Sequence, residues 1–234
     1  MPGSTRRDEL KQRHLGLPAE LLATSLLPWD GIDDVVGALR LEPGGRLVDL
    51  ACGRGGYGLE VARRTRARLV GVDFSREAIR QASEAAAATG IPAEFAVGEL
   101  GATGLDEGSA DALMCIDSIQ FAATGATYRE LRRVLVPGGR AVITTWEALD
   151  RSDQGVPERL RQVDVRAGLE AAGFTSIDVR EPRVWRVAER NMWLAASELD
   201  PAEGPDVRSL YDEALRALAG FDRVRRVFAV ATAP

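Results

Sequence analysis

Between Arg46 and Asp73 the chain runs Arg-Leu-Val-Asp-Leu-Ala-Cys-Gly-Arg-Gly-Gly-Tyr-Gly, then a stretch at helical spacing, then Leu69-Val70-Gly71-Val72-Asp73. An apolar run ends in a glycine turn, a helix follows, and a second apolar run ends in an acid. That order specifies a strand-loop-helix-strand unit, which presents its ligand site at the carboxyl ends of its strands. Gly53 and Gly55 lack a Cβ and can take positive φ, so the chain turns tightly and a ligand can touch the main chain. Gly58 lets the following helix pack close to its strand. The spacing Gly53-x-Gly55-x-x-Gly58 also fits a dinucleotide fingerprint, so the glycines alone do not choose the ligand. Two acids narrow the choice. Asp49, at the end of the first strand, lies under the loop; it would repel a pyrophosphate and suits an ammonium or sulfonium group. Asp73 ends the next strand, where an acid can take both hydroxyls of a ribose.

Asp49-Leu-Ala-Cys-Gly53-Arg-Gly55 followed by Val72-Asp73-Phe74-Ser75 resembles the first two motifs of the class I S-adenosylmethionine-dependent methyltransferases. The resemblance continues through Gly98-Glu99, Asp111 to Asp117 and Leu135-Val-Pro137-Gly138-Gly139-Arg140, over residues 30–182. It implies an α/β fold: a Rossmann-like, seven-stranded, mostly parallel sheet in the order 3-2-1-4-5-7-6 with its last strand antiparallel, and an N-terminal helical lid. It implies S-adenosyl-L-methionine as cofactor and S-adenosyl-L-homocysteine as product. Cofactor contacts are then expected from Asp49, Ala51, Cys52, Gly53, Gly55, Asp73, Phe74, Ser75, Gly98, Glu99, Leu100, Asp117 and Ser118. In the family an acid at the position of Glu99 commonly faces the adenine amino group. Asp is more usual there, and a loop carboxylate in water is the plain alternative. Asp117 and Ser118 serve equally well as helix caps.

The 234 residues suit one α/β domain. The expected organisation is a lid over 1–45, a cofactor core over 46–182, a helical insert over 183–222 and a final strand over 223–234. A formal net charge of −5 argues against a nucleic-acid partner, which needs a concentrated basic face. Lys11 is the only lysine among 30 basic residues and His14 the only histidine, so a multi-histidine metal site is excluded and no metal is expected. Cys52 and Cys115 each end a buried strand, with neither disulfide nor metal spacing. The charged start lacks an apolar signal core and no stretch reaches membrane-spanning length, so a cytoplasmic location without a membrane partner is expected. Monomer and homodimer both remain open.

Along the chain, leucines from Leu15 to Leu27 recur at helical spacing, so residues 6–26 read as one or two helices, with Pro18 starting the second. These lie over the cofactor or simply pack on the sheet edge. Residues 32–41 read as a helix. Strands are expected over 46–50, 68–73, 93–97 and 110–116, and a fifth over 140–146 after the turn at Pro137-Gly138-Gly139. Helices are expected over 56–65, from Ser75 as cap to Thr89, and over 127–135, 163–172, 188–199 and 207–218. Strands over 174–181 and 223–232 flank the last two of these helices. Trp29, Gln120, Phe121 and Trp146 are the candidate acceptor contacts, Trp146 with core filling as its alternative.

Methyl transfer from a sulfonium is an in-line displacement that positioning and water exclusion can accelerate. The cation loses charge as it reacts, so an acid at the sulfur would stabilise the wrong state. Asp49 is therefore assigned to the methionine amine through the loop and Asp73 to the ribose. A phenol or alcohol acceptor benefits from a base. His14 is the side chain whose ordinary pKa suits that role, the alternative being a solvent-facing residue on a charged helix. The expectation is methylation at O or N of a small, hydrophobic or aromatic metabolite, of the kind made in specialised metabolism. The rivals are a rearrangement or cyclisation with the cofactor bound but not consumed, a nicotinamide-dependent oxidoreductase, and a non-catalytic sensor of the cofactor.

Overall fold

The structure is a computed structural model that describes residues 5–21 and 23–234. Its centre is the apolar pair β1 (Arg46–Leu50) and β4 (Ala110–Ile116), both covered on each face. β1 pairs in parallel with β2 (Arg68–Asp73) on one side and with β4 on the other, and β3 (Ala93–Val97) extends the sheet beyond β2. Beyond β4 come β5 (Leu135–Ala148), then β7 (Val224–Thr232), antiparallel to both its neighbours, then β6 (Thr175–Arg180). The order is 3-2-1-4-5-7-6, as expected. It reverses between β1 and β4, and open α/β sheets bind ligands outside the strand ends at such a reversal.

Alternate residues of each central strand feed two cores. Leu47, Met114, Val142 and Phe228 meet α1 (Arg6–Leu15), α2 (Gly31–Leu39), α3 (Gly56–Thr65), α8 (Arg183–Ala196) and α9 (Pro205–Gly220). Val48, Leu113, Ile143 and Ala229 meet α5 (Gly125–Val134) and α7 (Val165–Ala171) on the other face. α4 (Arg76–Thr89) packs beside β2 and β3, and a single turn, α6 (Glu158–Arg161), lies between β5 and α7. Ser75 caps α4, its hydroxyl accepting from the Ala78 amide at 3.2 Å.

Three expectations are corrected. Residues 17–21 and 23–28 form no helix, although Leu17, Leu26 and Leu27 are buried. Their backbone groups are taken by side chains from elsewhere. Lys11 Nζ donates to the carbonyls of Ala23 (3.2 Å) and Thr24 (2.7 Å). The Leu26 amide donates to Asp117 Oδ2 at 2.9 Å, and the Tyr57 hydroxyl donates to the Leu27 carbonyl at 2.7 Å. The segment is a strap tied down by tertiary bonds that helical propensity does not outweigh. Leu22 lies outside the described residues. β5 starts at Leu135 rather than residue 140 because Leu135 pairs with Ala110 and the Gly138 amide donates to the Ala233 carbonyl at 2.8 Å, so the glycine turn is absorbed into the sheet. α8 starts at Arg183, directly after Pro182, rather than at residue 188.

Candidate active site

After β1 the chain turns through Ala51 (φ 56°), Gly53 (φ 53°) and Gly55 (φ 82°), all in the left-handed region. The two glycines take it without strain; Ala51 does not, and such strain concentrates at functional sites. Asp73 fixes the turn. Its Oδ2 accepts the Gly53 amide and its Oδ1 the Ser75 amide, each at 2.9 Å. The Cys52 amide donates to the Val72 carbonyl at 3.0 Å, giving the loop a second tie to β2.

Asp49 is buried beneath the first turn of α3. Burial, then the neighbouring charge of Asp73, pushes its carboxyl up to about 8, partly offset by the Gly58 amide. A Cβ on Gly58 would stand 2.6 Å from Asp49 Oδ2, which is why no side chain fits there. Gly58→Ala is accordingly expected to destabilise the fold by about 1–3 kcal/mol, the range for overpacking a filled site, measured as a lower urea midpoint at unchanged slope.

The rim beside this corner is apolar and open. Phe74, next to Asp73, is 78% exposed, and Val97 at the end of β3 is exposed too. Gly98 follows, its amide on the Asp73 carbonyl at 3.1 Å, and a Cβ on it would lie 2.7 Å from the Thr103 carbonyl oxygen. Glu99 is exposed and Leu100 half-buried, and the Glu99 backbone exchanges two hydrogen bonds with Ala102.

The ends of β4 and β5 hold a different environment. Asp117 is buried at positive φ (53°) and fully engaged: Oδ1 accepts the Thr144 hydroxyl at 2.6 Å and lies 2.6 Å from Arg226 Nη2, while Oδ2 accepts the strap through Leu26. The Ser118 hydroxyl donates to the Ile116 carbonyl at 3.0 Å, and no side-chain cap joins either residue to the short turn that follows. Gln120 is locked, its amide donating to the Asp117 carbonyl and its Oε1 accepting from Thr145, both at 2.7 Å. Phe121 is 70% exposed. Trp146 is half-buried; its indole N–H is shared by the two carboxylate oxygens of Glu189 at 3.0 and 3.1 Å, and the Arg226 guanidinium lies 3.9 Å from its ring. Trp29 stands apart, under Arg64 at 4.5 Å, lining a cavity of about 340 Å³ with Leu21, Arg54, Leu59 and Ile91. The linings of that cavity include none of Gln120, Phe121 and Trp146.

His14 lies in the last turn of α1, which packs against α8. Its Nε2 is enclosed without a hydrogen-bond partner among the described residues. Lys11, on the same helix, is only 3% exposed, although Lys11-Gln12-Arg13-His14 read as a charged solvent face. Burial lowers its ammonium to about 8. Three residues went unsingled in the sequence: Lys11, Glu189 and Arg226. For Arg226 a signal existed, a charge one step before the apolar run Val227–Ala231 that fills a buried strand. Glu189 carried none, since an acid on an amphipathic helix is ordinary.

Comparison with known proteins falls on this same core. Residues 47–139 match the family model described as a methyltransferase domain. Sterol 24-C-methyltransferase ERG6A of Gibberella zeae is 30% identical over 133 residues, covering 56% of this chain and 34% of that relative. The matched stretch spans between 34% and 48% of the length of the curated relatives. Among solved structures, phosphoethanolamine N-methyltransferase 2 of Haemonchus contortus, in complex with phosphomonomethylethanolamine and S-adenosylhomocysteine, superposes with a TM-score of 0.77 at 20% identity, over 97% of this chain and 57% of that one. The cyclase SpnF superposes with a TM-score of 0.72 at 24% identity, over 87% of this chain and 79% of that one. At such identities these two superpositions speak to the fold alone, a Rossmann-like sheet. The domain match begins inside the strand that carries Asp49 and runs through the whole glycine corner, so the stretch that resembles a methyltransferase domain is the one that forms this candidate site.

Proposed function

We propose that the chain transfers the methyl group of S-adenosylmethionine to a small-molecule acceptor bound over the ends of β4 and β5. Asp73 is the observation that carries this reading. A carboxylate has about four lone-pair sites, and the two loop amides occupy one on each oxygen. The remaining pair suits two vicinal hydroxyls of a ribose. Phe74, Leu100, Gly98 and Glu99 form the rim on which an adenine would lie. Ala51, Cys52, Gly53 and Gly55 bring backbone to the amino-acid tail, with Asp49 beneath it and Ser75 completing the wall. Asp117 and Ser118 close the far side, and Gln120, Phe121 and Trp146 face the acceptor; Trp29 lines a separate cavity and takes no part in that set. The strap fits a lid: a Cβ on Gly53 would meet the Thr24 hydroxyl at 4.0 Å, so the strap passes beside the cofactor loop at Thr24.

The expectation of oxygen or nitrogen as the methylated atom widens to include carbon, since the sterol relative is named for a carbon. Calorimetry with S-adenosylmethionine, S-adenosylhomocysteine and NADH tests the reading; binding of NADH alone would refute it. Turnover without S-adenosylhomocysteine release would assign the pocket to a rearrangement that leaves the cofactor intact.

Asp49 also predicts a pH dependence. With its carboxyl held up to about 8, the free protein keeps that proton through neutrality. The protein alone therefore loses stability as pH rises from the ordinary carboxylate range to about 8, and that contribution is level above it. A bound cation favours the ionised form, so binding releases a proton below about pH 8. Affinity for S-adenosylmethionine is expected to rise with pH up to about 8, and Asp49→Asn to flatten that rise in calorimetry run in buffers of different ionisation heat.

A further inference from the structure

Arg226 is 1% exposed, the largest side chain among the described residues to be so completely enclosed. It projects from β7 opposite Trp146, at the carboxyl end of β5 where an acceptor would lie. One flat face rests on the Trp146 ring at 3.9 Å, and Trp185 stands 6.0 Å away. Nη2 forms an ion pair with Asp117 at 2.6 Å that is not aligned as a hydrogen bond, and Nε and Nη1 have no hydrogen-bond partner among the described residues. Glu189 is close enough to feel this charge, yet it gives its oxygens to the Trp146 indole instead. A buried guanidinium with idle donors is costly, because donors removed from water must be paired to recover what they lost.

We propose that Arg226 is the residue that selects the acceptor, and that the acceptor is an acid bound as its anion: a phenolate or the enolate of a β-dicarbonyl. This rests on the methyl-transfer reading above. The anionic oxygen supplies the partner that the idle N–H groups lack, and Trp146 and Trp185 supply flat apolar walls for a conjugated ring or enol. Charge decides between acceptor classes. A guanidinium beside the reacting atom opposes the ammonium formed from an amine and the carbocation formed from an alkene, and favours an anion. Burial raises the pKa of Glu189, which limits repulsion of that anion, and the sulfonium of the cofactor attracts it. On binding, the acceptor's acidic proton passes to water. The oxygen or enolate carbon then forms its bond to the methyl carbon, the sulfur–methyl bond breaks, and its electron pair stays on sulfur as the neutral thioether. The acceptor enters by displacing the strap, whose Leu26 amide rests on Asp117.

Spectrophotometric titration with 4-nitrophenol, whose anion is yellow, tests the site without turnover. The wild-type protein loaded with S-adenosylhomocysteine should hold the probe as its anion below the pH at which the probe ionises in water. Arg226→Met should weaken that binding about a hundredfold, and Arg226→Lys should restore part of it. If Arg226→Met does not fold, the Asp117→Asn/Arg226→Met pair replaces it, since it removes both charges together. A second arm offers 4-nitrophenol, 1-phenyl-1,3-butanedione, benzylamine and geraniol with S-adenosylmethionine and measures S-adenosylhomocysteine. Failure of the wild type to bind the probe as its anion, binding unchanged in Arg226→Met, or consumption of benzylamine or geraniol would each overturn the assignment. The methyltransferase reading stands or falls separately, on calorimetric binding of S-adenosylmethionine to the same variants.

Discussion

Asp117→Ala is expected to lower the free energy of unfolding by about 3–5 kcal/mol, the cost of leaving a buried charge without its partner. Arg226 is sealed between two tryptophans, and Asp117 is the carboxylate that balances it. The alanine would also strand the Thr144 hydroxyl and the Leu26 amide, and would leave a non-glycine residue at φ 53° without the short polar side chain that tolerates it. Chemical denaturation measures the loss. Asp117→Ala combined with Arg226→Met should recover most of it, because an apolar pair of similar volume often replaces a buried ion pair at little cost. If the single variant loses less than the double, the pair is not the unit described, and the strap contact carries the effect instead.

Asp73→Ala should reduce affinity for S-adenosylmethionine at least about a hundredfold, two hydrogen bonds to a charged acceptor being worth that much together. A strand-end acid that served only a ligand would be expected to leave the fold intact when removed. The structure alters that expectation. Asp73 holds the Gly53 and Ser75 amides, so its removal should also lower stability by about 2–4 kcal/mol in the absence of any ligand. Asp73→Asn separates the effects: it keeps an acceptor for one amide and loses the charge that both the loop and the sugar need. Calorimetry paired with denaturation checks this, and unchanged affinity in the alanine variant would remove Asp73 from the cofactor site.

Much of the fold was readable where its cause is local. The runs 46–50, 68–73 and 110–116 are apolar, short and bounded by turn residues, and each is a strand with those bounds. Ser75 announced α4 because its hydroxyl reaches an amide three residues on. That Gly58 lets its helix pack close to the strand followed from spacing; that it does so against Asp49 is a finding of the structure. The strap was misread for the opposite reason. Its leucines carry a helical period, but Lys11, Tyr57 and Asp117 take its backbone groups, the last of them 91 residues away.

What the sequence determined by itself is the strand-loop-helix-strand unit with its glycines and two acids; the sheet order was implied by the family that this unit resembles. Only the tertiary structure decided that Lys11 is buried, that Asp117 binds Arg226, and that Glu189 meets Trp146 across 43 residues. Backbone conformation answers mainly to neighbouring residues, so it can be read from them. The partner of a buried charge is set by which strands and helices the topology brings to the same edge, and that appears only once the chain has closed on itself.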